Sequence, residues 1–327
     1  MKENIDSILP DQVPTSDEAQ NSNDSQPESS RKSLSLISTI LLLFGSVYGT
    51  GVYISVDITI HYIPSLFYSL LMWFVGGMVA LGASLCYVEL ALLLPSCGGE
   101  YAYFNEAYHE IVGFSFMMSN LLFIRPISIA VLVLYAAEVI FEAALKDKPF
   151  WPCRLTSIGI VWCLFILHSC SNKYSIKLNN FLTYLKFLVL LFIVGIASYK
   201  LCTGQTEHIQ DWGFKAQISP LLLGNGFYSV MWAYDGFNVL VYMVEEMKNI
   251  NNIKIASVIA LVGVTIMYLM MSFSYVVIVG IEGLLHFNGV VNSIARPYIK
   301  DGSYVIMALL SLSALGSANG AAYSSAR

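Results

Sequence analysis

One stretch near the middle of the chain constrains the fold more than any other. Residues 226–248 are apolar enough to cross a membrane, yet Asp235 and Gly236 stand at the centre of the stretch. An aspartate at mid-bilayer costs roughly 2.5 to 3.5 kcal/mol on insertion scales, so its side chain should face protein, water or a ligand. The adjacent glycine weakens the helix at the same level. The pattern therefore predicts a membrane helix that is interrupted at its centre.

The overall composition places the rest of the chain in a membrane as well. Of its 327 residues, 56% are hydrophobic and 12% are charged, and the mean hydropathy is +0.65. A soluble globule of this size needs more polar surface than these residues supply. Because backbone polar groups in lipid must find partners within the protein, the apolar runs predict helices. The expected fold class is an all-α polytopic membrane protein.

The first 33 residues have a different character from the remainder. They are rich in Ser, Asn, Asp and Pro and have no apolar period, so residues 1–33 are expected to form a disordered tail. No short apolar core follows a basic start, and the tail therefore does not resemble a signal peptide. No basic patch in the chain suggests a nucleic-acid partner.

Eight apolar segments follow the tail and predict eight membrane spans. The fourth is short, which predicts a tilted or locally kinked helix. The segments cover residues 34–63, 64–94, 111–144, 155–169, 181–199, 226–248, 255–281 and the stretch from 303 onward.

The first span contains a cluster of glycines in the sequence GSVYGTGVYI. Gly45, Gly49 and Gly51 weaken the helix, since each costs about 1 kcal/mol relative to alanine. One interpretation is close helix packing through Gly45 and Gly49; the other is a second interrupted helix. A phosphate-binding loop is disfavoured because no strand precedes the glycines. Helices broken at membrane depth are typical of secondary transporters.

Cysteine and histidine patterns give no sign of a cofactor. The six cysteines show no CxxC motif and no paired spacing with histidine, so no metal site is expected. No Ser/His/Asp or metal-ligand cluster falls at a shared depth among the spans. Neither an enzyme nor a bound cofactor is therefore predicted.

From Gly45 to Arg327 the chain resembles the L-type amino-acid transporter family, the light subunits of heteromeric amino-acid transporters. This family lies within the amino acid, polyamine and organocation superfamily. The resemblance rests on six segments in family order: GTGVYIS at 49–55, LGASLCYVELALLLPSCGGEYAYFNEA at 81–107, FIRPIS at 123–128, YLKFLVLL at 184–191, FYSVMWAYDGFNVLVYMVEEMKN at 227–249 and SALGSANGAAYSSAR at 313–327.

The resemblance implies a LeuT-type fold built from two inverted five-helix repeats and two further helices. The tail 1–33 is then cytoplasmic, residues 34–200 form the first repeat, and residues 201–218 form an extracellular loop. Residues 219–327 contribute only spans six to eight, so about eight of twelve helices are expected. Such a chain is expected to be a fragment or a shortened form that does not transport alone.

The resemblance also implies a substrate site between spans one and six. The N–H groups near Gly49, Thr50 and Gly51 would bind the carboxylate of an amino acid, aided by the helix dipole. Carbonyl groups near Trp232 and Tyr234 would accept from its ammonium group, and Trp232 stands at the family's aromatic gate. The other implied substrate-binding residues are Ser128, Asp235, Gly236 and Asn238.

Two positions refine the implied substrates. Asp235 stands where carriers of branched and aromatic amino acids have glycine, and its charge predicts that cationic as well as neutral amino acids are accepted. A structural tie within the helix bundle is the alternative role. Lys186 stands where sodium-independent relatives place an ammonium group in the position of a sodium ion. The resemblance thus implies sodium-independent exchange.

One cysteine is implicated in assembly by the same resemblance. Cys153 falls in the predicted outer loop between spans three and four, where family members form a disulfide with a single-span glycoprotein heavy chain. An intramolecular bond to Cys202 is the alternative. The implied function is a plasma-membrane amino-acid antiporter with a cytoplasmic N-terminus. A non-transporting amino-acid sensor or a truncated regulatory partner of the heavy chain is the second hypothesis.

Overall fold

The computed structural model describes residues 34–96, 98–145, 148–170, 172–210, 212–214, 216–286 and 303–325. The predicted tail, 1–33, lies outside these residues. The helices are α1 (Leu36–Val47), α2 (Gly51–Tyr62), α3 (Leu66–Leu93), α4 (Gly99–Ala107), α5 (Glu110–Ser119), α6 (Arg125–Leu145), α7 (Phe150–Cys170), α8 (Asn172–Cys202), α9 (Pro220–Ala233), α10 (Asn252–Val279), α11 (Ile281–His286) and α12 (Ser303–Ser325). Within the described ranges there is no β-strand, only an isolated bridge between Leu34 and Met247.

The predicted all-α polytopic membrane fold is confirmed. Five helical stretches in the described part of the chain are long and apolar enough to cross a membrane, and α1 and α2 together make a sixth. The five are Leu66–Leu93, Glu110–Leu145, Phe150–Cys170, Tyr184–Cys202 and Asn252–Val279. The sixth and eighth predicted spans contain shorter helices, α9 and the apolar stretch Met307–Ala322 of α12.

The first span is interrupted where its glycines cluster. Helix α1 ends at Val47, α2 begins at Gly51, and the two halves are bent by 44° relative to each other. The first half begins with Ser35 as its N-cap, whose hydroxyl accepts from the N–H of Ser38 at 3.3 Å. Of the two interpretations of the glycine cluster, close helix packing and an interrupted helix, the structure shows the interrupted helix.

The sixth span is interrupted in the same way at Asp235 and Gly236. Helix α9 starts with Pro220 after the N-cap Ser219, a position where the missing N–H of proline costs no hydrogen bond. It ends at Ala233, and a turn then leads into the 3₁₀ segment Val239–Glu246. The far ends of the two broken spans also meet, since the N–H of Lys248 donates to the Leu34 carbonyl at 3.1 Å.

The third span stays continuous despite its internal proline. A π-helical turn, Asn120–Ile124, joins α5 to α6, and the N–H of Arg125 donates to the Asn120 carbonyl five residues earlier. Pro126 has no N–H and would clash with a carbonyl in regular α-helix, so the wider turn accommodates it. Ser128 follows one turn later.

The predicted bounds of the fourth span, 155–169, are wrong, and so is its description as a short helix. Helix α7 begins at Phe150 and has 21 residues, which is enough to cross a membrane. Pro152 falls in its first turn, where proline is tolerated. Prolines in the sequence KPFWPC thus mark the start of a helix and not a loop.

Candidate functional site

The two interruptions lie side by side, and glycines permit the contact. A Cβ atom added to Gly51 would lie 2.9 Å from Cα of Ala233, so the backbones of the two spans touch there. Gly236 has φ of +96°, and a Cβ on it would lie 3.2 Å from the Ser46 carbonyl oxygen. Side chains are disfavoured at such φ values. Glycine is therefore required at the breaks, both for the backbone conformation at Gly236 and for the close contact between the two spans.

Tyr268 of α10 connects the two broken helices at their interrupted ends. Its hydroxyl lies 2.7 Å from the carbonyl oxygen of Val47 and 2.8 Å from that of Ala233. These are the last residues of α1 and α9, whose carbonyl groups lack partners further along the helix. The side chain is fully buried and packs at 4.9 Å, between ring centroids, against Tyr234.

A cavity of about 900 Å³ opens at the two interruptions. It brings together residues that are far apart in the chain and that belong to several helices. Of the sequence-predicted residues, those that line it are Gly49, Thr50, Gly51, Ser128, Lys186, Trp232, Asp235, Gly236 and Asn238.

Tyr234 does not line this cavity with the other predicted residues. Its ring is buried against Trp73 and Tyr268, and its hydroxyl donates to the Trp73 carbonyl at 3.0 Å. The role predicted for Tyr234 was that of its backbone carbonyl group. The buried position of its side chain does not test that role. The side chain supports the broken span from behind the cavity.

The N–H groups at the first break are not equally available. Gly49 donates to the Val47 carbonyl at 2.7 Å, and Thr50 donates to Ser317 Oγ at 3.2 Å. No acceptor in the described residues lies within hydrogen-bond reach of the Gly51 N–H. Because Gly51 is the first residue of α2, this free group coincides with the positive end of the helix dipole.

A second polar group at the first break is the ammonium of Lys186. Its side chain is 2% exposed, and Nζ donates to Ser317 Oγ at 2.9 Å. The Thr50 hydroxyl donates to the same oxygen at 2.8 Å, and Ser317 in turn donates to the Ser313 carbonyl at 3.3 Å. In the described ranges no carboxylate oxygen lies within 4.0 Å of Nζ. The network joins α8, α12 and the break in the first span.

Ser317 accepts from more donors than a hydroxyl can fully satisfy. Its oxygen has two lone pairs, yet Lys186, the Thr50 hydroxyl and the Thr50 N–H all point to it. The longest contact, at 3.2 Å, is that of the N–H. The Thr50 N–H is therefore the donor that another acceptor would most easily take over.

The carboxylate of Asp235 faces the cavity, as its position in the sequence predicts. The residue is exposed and lines the cavity, and its Oδ1 accepts from the N–H of Gly236 at 2.9 Å. This bond holds the carboxylate in place. The second carboxylate oxygen remains open to a donor inside the cavity.

Sequence reasoning missed Glu100, which also lines the cavity. Glu100 lies in the first turn of α4 and is 4% exposed. Its Oε1 accepts from Asn238 Nδ2 and its Oε2 accepts from the Tyr242 hydroxyl. The segment around Glu100 reads as a polar turn in the sequence, and only the fold brings it to the sixth span.

Arg125 was likewise not predicted as part of the site. It follows the π-helical turn and lines the cavity together with Ser128. Among the lining residues the acidic ones are Glu100 and Asp235, and the basic ones are Arg125 and Lys186. Because these formal charges balance, net charge alone does not select one class of ligand.

The prediction that Cys153 lies in a loop is wrong. Cys153 lies in the first turn of α7, its N–H donates to the Pro149 carbonyl at 3.2 Å, and it is 2% exposed. The cause is the tolerated proline at position 152, which extends the helix toward the preceding segment. Neither Cys153 nor Cys202 takes part in a disulfide, so the alternative bond between them is not formed.

Comparisons with known proteins agree with the family resemblance in the sequence. Residues 34–327 match the amino acid permease family. The chain is 29% identical over 307 residues to human b(0,+)-type amino acid transporter 1, and the aligned region covers 91% of this chain and 62% of the relative. It is 27% identical over 296 residues to human Asc-type amino acid transporter 1, covering 89% and 57%. It is 29% identical over 302 residues to the human cystine/glutamate transporter, covering 91% and 60%. The chain thus spans about three fifths of the length of these relatives.

Proposed function

Because the chain belongs to the amino acid permease family, we propose that it binds amino acids in its central cavity and exchanges them across the plasma membrane without sodium. The observation that carries this proposal is the pair of interrupted helices that meet beside a cavity of about 900 Å³. Interrupted helices expose backbone N–H and C=O groups at membrane depth, where a zwitterion needs partners of both kinds.

The two breaks offer complementary groups to an amino acid. The free N–H of Gly51 and the weakly held N–H of Thr50 suit a carboxylate at the start of α2. The carbonyl groups around Trp232 and Tyr234, at the end of α9, suit an ammonium group because a helix C-terminus is negative. Trp232 lines the cavity and is proposed to close over the bound substrate.

Exchange of labelled arginine and leucine tests this proposal directly. The assay uses cells that express the full-length protein with and without a heavy subunit. Outward movement of preloaded leucine that requires external arginine supports an antiporter for neutral and cationic amino acids. Binding of both amino acids without any flux would instead favour the amino-acid sensor.

Lys186 is proposed to replace a sodium ion at the first break. Its amino group already donates to Ser317 beside Thr50, so a basic side chain lies at the site where a sodium ion would bind. We expect leucine uptake to be unchanged when choline replaces external sodium. A fall in uptake when sodium is removed would contradict the proposed role of Lys186. It would not contradict the proposed binding of amino acids in the cavity.

A glycoprotein heavy chain is proposed as the partner, linked through Cys153. The thiol is buried in the first turn of α7, so the bond requires this turn to open during assembly. On non-reducing gels of cells that express both chains, Cys153→Ser is expected to remove the heavier band. Cys202→Ser is the matched control, because Cys202 is an exposed thiol at the end of α8. Persistence of the heavier band in Cys153→Ser would exclude this link.

A further inference from the structure

Glu100 holds two donors that belong to the second half of the sixth span. Asn238 is the N-cap residue of the 3₁₀ segment Val239–Glu246, and Tyr242 lies one turn into that segment. Each of the two binds a different oxygen of the Glu100 carboxylate. All three residues line the cavity. Hydrogen bonds to an ionised group are roughly twice as strong as neutral ones, so this arrangement is firmly held.

The carboxylate determines which way the Asn238 amide points. An ionised carboxyl group carries no hydrogen and can only accept, so the group that faces it must be the amide nitrogen. The amide oxygen then points elsewhere. No donor among the described residues reaches Asn238 Oδ1, and this oxygen is not one of the buried atoms without a partner. It is therefore open to a molecule in the cavity.

The same argument applies to the hydroxyl of Tyr242. Its single hydrogen is donated to Glu100, so its oxygen can only accept from a further partner. Asp235, three residues before Asn238 and lining the same cavity, is also an acceptor. The wall formed by these residues thus presents three oxygen acceptors, and the hydrogen left on it is the second one of the Asn238 amide.

We propose that Glu100 is a positioning residue that turns this wall of the cavity into a row of acceptors and so favours substrates whose side chains carry N–H donors. The inference rests on the proposed amino-acid binding and deepens it. Cationic and amide side chains fit such a wall, whereas a carboxylate side chain would meet lone pairs. Because the formal charges of the cavity balance, this local arrangement of donors and acceptors decides the preference.

Equilibrium binding of labelled arginine and leucine to the purified chain tests the inference. In Glu100→Gln the new amide can donate to Asn238 Oδ1, which removes the acceptor from the cavity. The ratio of arginine affinity to leucine affinity is expected to fall roughly tenfold. Glu106→Gln is the matched control, because Glu106 is exposed on the same helix and does not line the cavity. That control is expected to keep the wild-type ratio.

A merely structural role would give a different result. If Glu100 only fastened α4 to the sixth span, Glu100→Gln would weaken both ligands equally and leave the ratio unchanged, which would overturn the inference. Asn238→Ala provides a second test if the Glu100 variant does not fold, since it removes the acceptor itself. An unchanged ratio in Asn238→Ala would also overturn the inference. Failure of the wild type to bind either amino acid would refute the proposed function, and the inference with it.

Discussion

Replacing Gly51 with alanine is expected to lower the affinity for leucine about tenfold or more and to lower the melting temperature. The added Cβ would lie 2.9 Å from Cα and 3.3 Å from Cβ of Ala233, so the backbones of two spans must separate. Overpacking of this kind costs about 1–3 kcal/mol, and about 1.4 kcal/mol corresponds to a factor of ten in affinity. Separation also moves the Gly51 N–H away from the opposite break. Equilibrium binding and thermal melting of the purified variant measure both effects.

A matched control for this substitution lies on the sixth span itself. Gly224 is within α9, and no atom lies within 4 Å of a Cβ added there. Since alanine favours helix over glycine by about 1 kcal/mol, Gly224→Ala is expected to keep the affinity and to melt no earlier than the wild type. Wild-type leucine affinity in Gly51→Ala would contradict the requirement that the two breaks touch.

Replacing Asp235 with asparagine is expected to lower arginine affinity about tenfold to a hundredfold and leucine affinity less than about threefold. Asn keeps the side-chain oxygen that accepts from the Gly236 N–H, so the local turn survives while the charge is lost. A hydrogen bond to a charged group contributes about 1.5–3 kcal/mol. Bare Coulomb attraction at 4 Å would reach about 4 kcal/mol at an effective dielectric of 20, but the cavity is open to water. Competition binding with both amino acids gives the two affinities.

The conservative variant separates charge from packing at this position. Asp235→Glu retains the carboxylate, and we expect it to preserve the preference for arginine even if both affinities change. Equal losses for arginine and leucine in Asp235→Asn would show that Asp235 is a structural tie. That outcome would leave the binding of neutral amino acids intact as a proposal.

The positions of the two interruptions could be predicted from local sequence. Gly49 and Gly51 on one span and Gly236 on the other are residues that weaken a helix by themselves, wherever the rest of the chain lies. The structure breaks both helices at these residues. Local sequence was sufficient here because the glycines that weaken each helix lie at the position where that helix is interrupted.

Contacts between distant parts of the chain could not be predicted in this way. Glu100 and Asn238 are 138 residues apart, and Lys186 and Ser317 are 131 residues apart. Nothing in either sequence neighbourhood specifies the other partner. These contacts form because the fold brings α4 to the sixth span and packs α12 on α8.

Cys153 illustrates a local signal that was misinterpreted. Two prolines beside an aromatic pair are typical of a loop, but proline is also well suited to the first turn of a helix. The structure takes the second option and buries the thiol. Residue types alone do not distinguish a helix start from a turn when the following residues are apolar in either case.

Tyr268 has one hydrogen and two carbonyl oxygens within reach, so it can serve only one of them fully at any moment. The two carbonyl groups differ in their other partners. The Val47 carbonyl also accepts from the Gly49 N–H at 2.7 Å, whereas Tyr268 is the one donor to the Ala233 carbonyl found in the described residues. The Ala233 carbonyl therefore depends on this hydrogen more than the Val47 carbonyl does. One hydroxyl group thus serves the ends of both interrupted helices, and the loss of that group in a Tyr268→Phe variant would remove a partner from each of them.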